Sequence, residues 1–250
     1  MDWLLLSGLA LATGGMLLAR QWLWLVVALL VVYMCVAGFL FQQPLATDLA
    51  LGITRWILPL AEVVSGVVVV GILLVTGLTF GRDERPEQLD EVSLMELRRV
   101  ARRSFRLAQP AEWSDYLLPV AGFVIALVAT TLLPHIYRLT GAAGGSLDAQ
   151  YSWTLLVLAG MIQLIIAQDM LKLGGGILLI GLGLQLFYLD GSTSIGLPVL
   201  ALLHIAMIVL ALVVAYLCGL LYGRLQTLDL DELYSQREGL VSRQPGGTLR

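Results

Sequence analysis

The sequence is poor in charged residues and in cysteine, and both shortages narrow what the protein can be. Only 13% of its residues are charged, whereas 58% are hydrophobic. A soluble globule needs more polar residues than this to cover its surface, so a soluble fold is excluded. Cys35 and Cys218 both fall inside long apolar runs, where they act as small apolar residues. They indicate neither a disulfide framework nor a metal site.

Sequence signals for enzymatic chemistry are also scarce. The triplet Gly174-Gly175-Gly176 resembles a phosphate-binding loop only superficially, because no Gly-Lys-Ser/Thr follows it. Glycines of this kind are typical of close packing between membrane helices. No arrangement of nucleophile, base and metal ligands stands out. We therefore expect no enzymatic activity, no cofactor and no bound metal, and nothing implies a nucleic-acid partner.

Long apolar runs are what the sequence has in abundance. A helix of about 20 apolar residues crosses a hydrocarbon core of roughly 30 Å. Seven runs approach this length, near 3–19, 22–41, 57–80, 115–133, 152–167, 172–189 and 197–222. The sequence therefore predicts an all-α integral membrane protein with about seven transmembrane helices.

The basic residues predict the orientation of these helices. Of 15 Lys and Arg residues, all but Arg55 and Arg138 fall on one side of the membrane when the seven runs are threaded in turn. The side richer in Lys and Arg is normally cytoplasmic. We expect a multi-pass protein of the cell (inner) membrane, with its amino terminus outside and its carboxyl terminus in the cytoplasm.

The runs fall into two similar groups. Residues 1–81 and 152–233 each contain two closely spaced spans, an external loop and a longer span. The linking span 114–134 restores the original direction, so the two groups are expected to be parallel three-helix repeats. Aligning Gly81 with Gly223 also superimposes Leu58 on Leu200 and Val67 on Val209. Apolar helices match easily, so duplication and convergent membrane patterning both remain open.

The cytoplasmic loop 82–113 is predicted to contain an amphipathic basic helix. Ser93 and Glu96 have the spacing of a capping box at the start of a helix. Apolar residues then recur at helical spacing, and one face is strongly basic. Such a helix suits the anionic surface of the inner leaflet, or alternatively an acidic partner subunit. The basic residues are Arg98, Arg99, Arg102, Arg103 and Arg106. The polar segment 236–250 is predicted to be disordered.

Two ionisable residues lie inside predicted spans, Glu62 and His204. The alignment of Gly81 with Gly223 places them at the same position of the two repeats, roughly 10 Å from the outer ends of their helices. Intramembrane ionisable residues often mark an ion path, so Glu62 can be a proton acceptor and His204 a proton relay. The alternative is structural: Glu62 makes a packing contact or reaches the interface, and His204 binds a neighbouring carbonyl.

A second polar group surrounds the fifth and sixth spans. Asp169 and Lys172 are three residues apart in a cytoplasmic turn, where they can simply pair on a solvated rim. Gln185 lies deeper. It can hold a water or an interhelical hydrogen bond but cannot exchange charge, and we include it among the candidate ion-path residues.

Residues 152–233 also carry an ordered set of short motifs. A polar turn at 168–172 is followed by a span containing Ile180-Gly181-Leu182-Gly183, and the last span ends in Tyr222-Gly223-Arg224 before an acidic stretch at 229–232. In this order the motifs resemble the small three-helix subunit shared by respiratory complex I (its K subunit) and the Mrp-type cation/proton antiporters (their C subunit). They are also similar to component E of hydrogenase-4.

The chain departs from this family at two positions. The complex I version has buried glutamates that are thought to carry protons, and Gly183 and Leu210 stand at those positions here. The departure favours the Mrp-like branch. The resemblance implies a non-catalytic subunit that supports proton or cation transport by large antiporter-like membrane subunits. The competing interpretation is a stand-alone transporter of small ions or solutes built from two repeats.

Overall fold

The computed structural model of the protein describes residues 2–19, 21–42, 54–81, 113–136, 147–167, 169–191 and 197–225. Seven helices make up almost all of these ranges. They are α1 (Asp2–Leu18), α2 (Trp22–Gln42), α3 (Thr54–Gly81), α4 (Trp113–Ile136), α5 (Leu147–Ile166), α6 (Met170–Gly191) and α7 (Leu197–Leu225). The predicted basic helix of loop 82–113 and the tail 236–250 lie outside the described residues.

The helices confirm an all-α, multi-pass membrane protein. Six of them, α2 to α7, are long and apolar enough to cross a membrane, and α1 is a shorter apolar helix. The helix α5 begins at Leu147, five residues before the run at 152–167 that marks it in the sequence. Its first turns contain Ser152 and Thr154, whose buried hydroxyls donate to backbone carbonyls of the same helix. Polar residues satisfied in this way belong to the span although they lower its hydropathy.

Each helix of the first group packs against the corresponding helix of the second group. Within each group neighbouring helices are in contact, α1 with α2 and α2 with α3, and correspondingly α5 with α6 and α6 with α7. Between the groups α1 contacts α5, α2 contacts α6, and α3 contacts α7. Two parallel repeats related by a pseudo-two-fold axis along the membrane normal would produce this pattern. Common ancestry of the two groups stays a prediction.

The helices α3 and α7 bury the same stripe of positions. In the alignment of Gly81 with Gly223, the buried residues Leu58, Glu62, Ser65, Val69 and Thr76 correspond to buried Leu200, His204, Met207, Ala211 and Cys218. Their spacing of three, four or seven residues defines one face of a helix. Both helices therefore present this face to each other and to the core.

Glycines bring α5 and α6 into close contact. A Cβ atom on Gly160 would lie 2.7 Å from the carbonyl oxygen of Gly176, and one on Gly183 would lie 3.0 Å from the carbonyl oxygen of Trp153. Only a residue without a side chain allows backbones to approach this closely. This contact fixes α6, and with it Gln185, against α5.

The linking helix α4 lies at the edge of the bundle, where it packs against α1 and α5. Each contact pairs a glycine with a large side chain: Phe123 of α4 packs against Gly14 of α1, and Ile162 of α5 packs against Gly122 of α4. Most of its remaining surface is exposed and apolar. The linking helix therefore contacts one helix of each group from the edge of the bundle.

Candidate functional site

Three polar side chains from three helices meet inside the bundle. Glu62 comes from α3, Gln185 from α6 and His204 from α7, and each retains less than a tenth of its accessible surface. They are the three residues that the sequence suggests as ion-path candidates. Because α3 belongs to the first group and α6 and α7 to the second, the site lies at the interface between the two groups.

The imidazole of His204 bridges a backbone carbonyl and the carboxyl group. Its Nδ1 lies 2.8 Å from the carbonyl oxygen of Leu200, one turn earlier in α7. A carbonyl oxygen only accepts hydrogen bonds, so Nδ1 carries a proton and donates it. Its Nε2 lies 3.0 Å from Oε2 of Glu62. The backbone therefore fixes the tautomer and aims Nε2 at the carboxyl group.

The contact between Nε2 and Oε2 holds one proton. With Nδ1 already protonated, a neutral imidazole has only a lone pair at Nε2, and a carboxylate oxygen also only accepts. A hydrogen bond between the two atoms then requires either a protonated Glu62 or a protonated His204. Both forms of the pair have zero net charge. The pair can thus sit in a low-dielectric interior that would strongly disfavour an isolated charge.

Gln185 orients the carboxyl group. Its Nε2 donates to Oε2 of Glu62 at 2.7 Å and lies 3.5 Å from Nε2 of His204. Both partners of the carboxyl group therefore meet the same oxygen. The other oxygen, Oε1, is buried and has no hydrogen-bond partner in the described part of the chain. An amide cannot accept a proton here, so Gln185 positions the pair and does not exchange charge.

The three residues lie at one depth in the membrane. Glu62 is six residues into the span Trp56–Thr79, and His204 is six residues into the span Pro198–Leu221. At 1.5 Å per residue both are roughly 9 Å from the membrane face at which α3 and α7 begin. Gln185 is five residues from the end of Met170–Asp190, which reaches that face from the opposite direction. We call this the near face of the membrane.

The polar turn between α5 and α6 is separate from this site. Nζ of Lys172 lies 3.9 Å from Oδ2 of Asp169, and both side chains are partly exposed. The ion pair expected from the sequence is present, at the membrane face opposite the near face. The arginines of loop 82–113 lie outside the described residues.

Sequence reasoning missed two residues near the site, Tyr33 in α2 and Ser65 in α3. Tyr33 is fully buried, and its ring packs against Gly66, one turn beyond Glu62. Ser65 lies three residues after Glu62, a spacing that places two residues on the same face of a helix. That spacing was a signal in the sequence, whereas the position of Tyr33 depends on how α2 packs.

Gly183 and Leu210, which stand where the complex I subunit that residues 152–233 resemble has glutamates, lie in apolar surroundings in the structure. A Cβ on Gly183 would lie 2.6 Å from Cγ2 of Val157 and 3.0 Å from its backbone nitrogen. The backbone of α5 therefore occupies the space that a glutamate at 183 would need. Leu210 packs against the hydrophobic core. The buried carboxyl group of this chain thus stands at a different position, on the first group.

Within the described ranges, no group of three or more His, Cys, Asp or Glu residues could hold a metal ion. The site contains one carboxyl group, one imidazole and one amide, which together suit proton chemistry.

The chain matches no family model, no curated protein and no solved structure. Its relation to the small subunits named above therefore rests on the motifs of residues 152–233 alone.

Proposed function

We propose that the protein is a non-catalytic membrane subunit of an ion-translocating complex of the Mrp-antiporter, hydrogenase or complex I type. In this proposal it supports proton or cation transport by neighbouring antiporter-like subunits, and the Glu62–His204 pair is its proton-holding site. The observation that carries the proposal is the 3.0 Å contact between these two buried side chains. The motifs of residues 152–233 support the assignment to a complex.

The pair has the properties that proton transfer within a membrane requires. Its proton moves between Oε2 of Glu62 and Nε2 of His204 without a change in net charge. Gln185 and the carbonyl of Leu200 hold both groups in place, so little reorganisation accompanies the transfer. Uptake of a second proton, or loss of the first, leaves a net charge that a neighbouring subunit can sense or neutralise.

Partner subunits have a large surface to cover. The faces of α3 and α7 that point away from the site expose apolar side chains such as Leu60, Val67, Leu202 and Tyr216. In a membrane such faces contact either lipid or another subunit, and the resemblance implies large antiporter-like subunits. The pair lies on the buried faces of these same two helices.

The function is tested by Glu62→Gln in membranes that contain the complete complex. Glutamine keeps the shape and hydrogen bonding of the side chain but cannot release a proton. We expect normal assembly and a loss of coupled proton or cation transport of at least tenfold. The matched control is Asp169→Asn, the same kind of change in the solvated turn, which should leave transport unchanged.

Wild-type transport by the Glu62→Gln complex would refute a proton-holding role.

A second candidate function is a stand-alone transporter. It is favoured by the position of the pair between the two groups, where repeat-based transporters place their binding sites. Purification in mild detergent separates the two functions: a subunit brings larger membrane proteins with it. Ion flux through liposomes that contain only the 27.1 kDa chain would favour the transporter.

A further inference from the structure

Three buried polar atoms beside the pair have no hydrogen-bond partner among the described residues. They are the hydroxyl oxygens of Tyr33 and Ser65 and Oε1 of Glu62. All three side chains are almost completely buried, at 0%, 3% and 0% exposure respectively. An unpartnered polar atom in an apolar interior is unfavourable, and native proteins rarely tolerate several together.

The three atoms belong to one region of the bundle. Tyr33 lies nine residues before the end of α2 at Gln42, and Ser65 lies nine residues after Trp56, the start of the span in α3. Both are therefore roughly 13 Å from the near face, and Glu62 is about 9 Å from it. Contact of the Tyr33 ring with Gly66 places α2 against this part of α3. The backbone positions of Tyr33 and Ser65 thus lie about one turn deeper than that of Glu62.

Ser65 departs from the usual behaviour of hydroxyl residues in this protein. Thr76, on the same helix, donates to the carbonyl of Ile72 at 2.7 Å, and Thr154 donates to that of Gln150 at 2.6 Å. Bonding of this kind satisfies a hydroxyl within its own helix. Ser65 makes no such bond. Its hydroxyl is therefore free to bind a ligand from the interior of the bundle.

We propose that Tyr33, Ser65 and Oε1 of Glu62 form a binding site for ordered water. A water molecule donates two hydrogen bonds and accepts two, so one or more waters can satisfy the two hydroxyls and the carboxyl oxygen. The two oxygens of Glu62 then have different partners. Oε2 binds His204 and Gln185, and Oε1 binds water.

Water at this position gives the pair a route for its proton. A water molecule that donates a proton to Oε1 takes one from the next water or hydroxyl, so that atoms and charge balance at each step. When Oε1 takes up this proton, the carboxyl group releases the proton on Oε2 to Nε2 of His204, so the pair gains one proton and one positive charge in total. This route rests on the proposed function, whereas the water site itself does not.

Thermal unfolding of the whole chain in detergent distinguishes a hydrated site from a dry one by the sign of the change in Tm that a substitution causes. If water bridges these groups, Tyr33→Phe removes a hydrogen bond and should lower the Tm by roughly 2–4 °C. If the site is dry, the same change removes an unsatisfied hydroxyl and should raise or preserve the Tm. The control is Thr130→Val, since the buried hydroxyl of Thr130 in α4 also has no partner within the described ranges but lies on a helix away from Glu62. Its Tm should not fall.

Hydroxyl-radical labelling by X-ray radiolysis provides a direct readout, because radicals form where water is bound. Tyr33 should be labelled at least severalfold more than Phe39, an aromatic residue of the same helix that is also buried. Equal labelling, or a Tm of Tyr33→Phe at or above that of the wild type, would overturn the proposal. Both measurements are independent of transport. A labelled Tyr33 together with undiminished transport by Glu62→Gln would therefore retain the water site and reject the proton-holding function.

Discussion

Oε2 of Glu62 lies 3.0 Å from Nε2 of His204, although 142 positions separate the two residues in the chain. The alignment of Gly81 with Gly223 has the same offset, so the contact joins a position of the first group to its own counterpart in the second. Contacts of this kind occur on a two-fold axis. Two identical ionisable residues there would repel each other when charged. One acid and one base form a neutral pair instead.

Exchange of the two residues tests this equivalence. Glu62→His leaves two imidazoles at the axis, and His204→Glu leaves two carboxyl groups. Each single change breaks a buried pair and should lower the free energy of unfolding by about 3 kcal/mol. The double variant recreates an acid and a base across the axis, and we expect it to recover at least half of that loss. Denaturant unfolding followed by tryptophan fluorescence measures all four proteins.

The equivalence would be disproved by a double variant no more stable than the worse of the two single variants. Gln185 makes full recovery difficult. In the wild type its Nε2 lies 2.7 Å from Oε2 of Glu62 but 3.5 Å from Nε2 of His204. Its amide can rotate to donate to a carboxyl group at either position. A partial recovery is therefore the expected result.

Two glycines provide a matched test of helix packing. A Cβ on Gly183 would meet Val157 at 2.6 Å, whereas a Cβ on Gly71 has nothing within 4 Å. Gly183→Ala should therefore destabilise the protein by about 1–3 kcal/mol through overpacking. Gly71→Ala should be neutral or stabilise it by up to about 1 kcal/mol, because alanine favours a helix. Thermal unfolding of the two variants in one detergent compares them directly.

If Gly183→Ala were as stable as Gly71→Ala, the close approach of α5 and α6 would be wrong. The steric explanation for the absence of a glutamate at position 183 would then be wrong as well.

Membrane orientation gives a further prediction. Tags at the carboxyl terminus and in loop 82–113 should both report from the cytoplasm, because 13 of the 15 Lys and Arg residues are predicted to lie on that side. The near face, and with it the Glu62–His204 pair, is then on the outer side of the membrane. The side of each tag is measured by introducing a cysteine into it and applying an impermeant thiol reagent to intact cells. Labelling of either tag from outside would contradict the predicted orientation, and with it the prediction of two parallel repeats.

Local features of the sequence were enough to predict the helices and to single out the important polar residues. Hydropathy is a property of a short segment, so seven apolar runs gave seven helices. Glu62, His204 and Gln185 stood out for the same reason, because a polar side chain in an apolar span is unfavourable unless it has a partner. The alignment of the two groups placed Glu62 and His204 at one position, but it did not bring them into contact.

The contacts themselves were decided by tertiary structure. In a membrane, residues that face lipid and residues that face the core are both apolar, so the sequence hardly indicates which faces of two helices meet. Packing of α3 against α7 brought Glu62 to His204, and packing of α2 brought the ring of Tyr33 against Gly66, one turn beyond Glu62. In the sequence, Gly183 stands at a position where the complex I subunit that residues 152–233 resemble has a glutamate. The close approach of the α5 backbone shows why no side chain fits at that position.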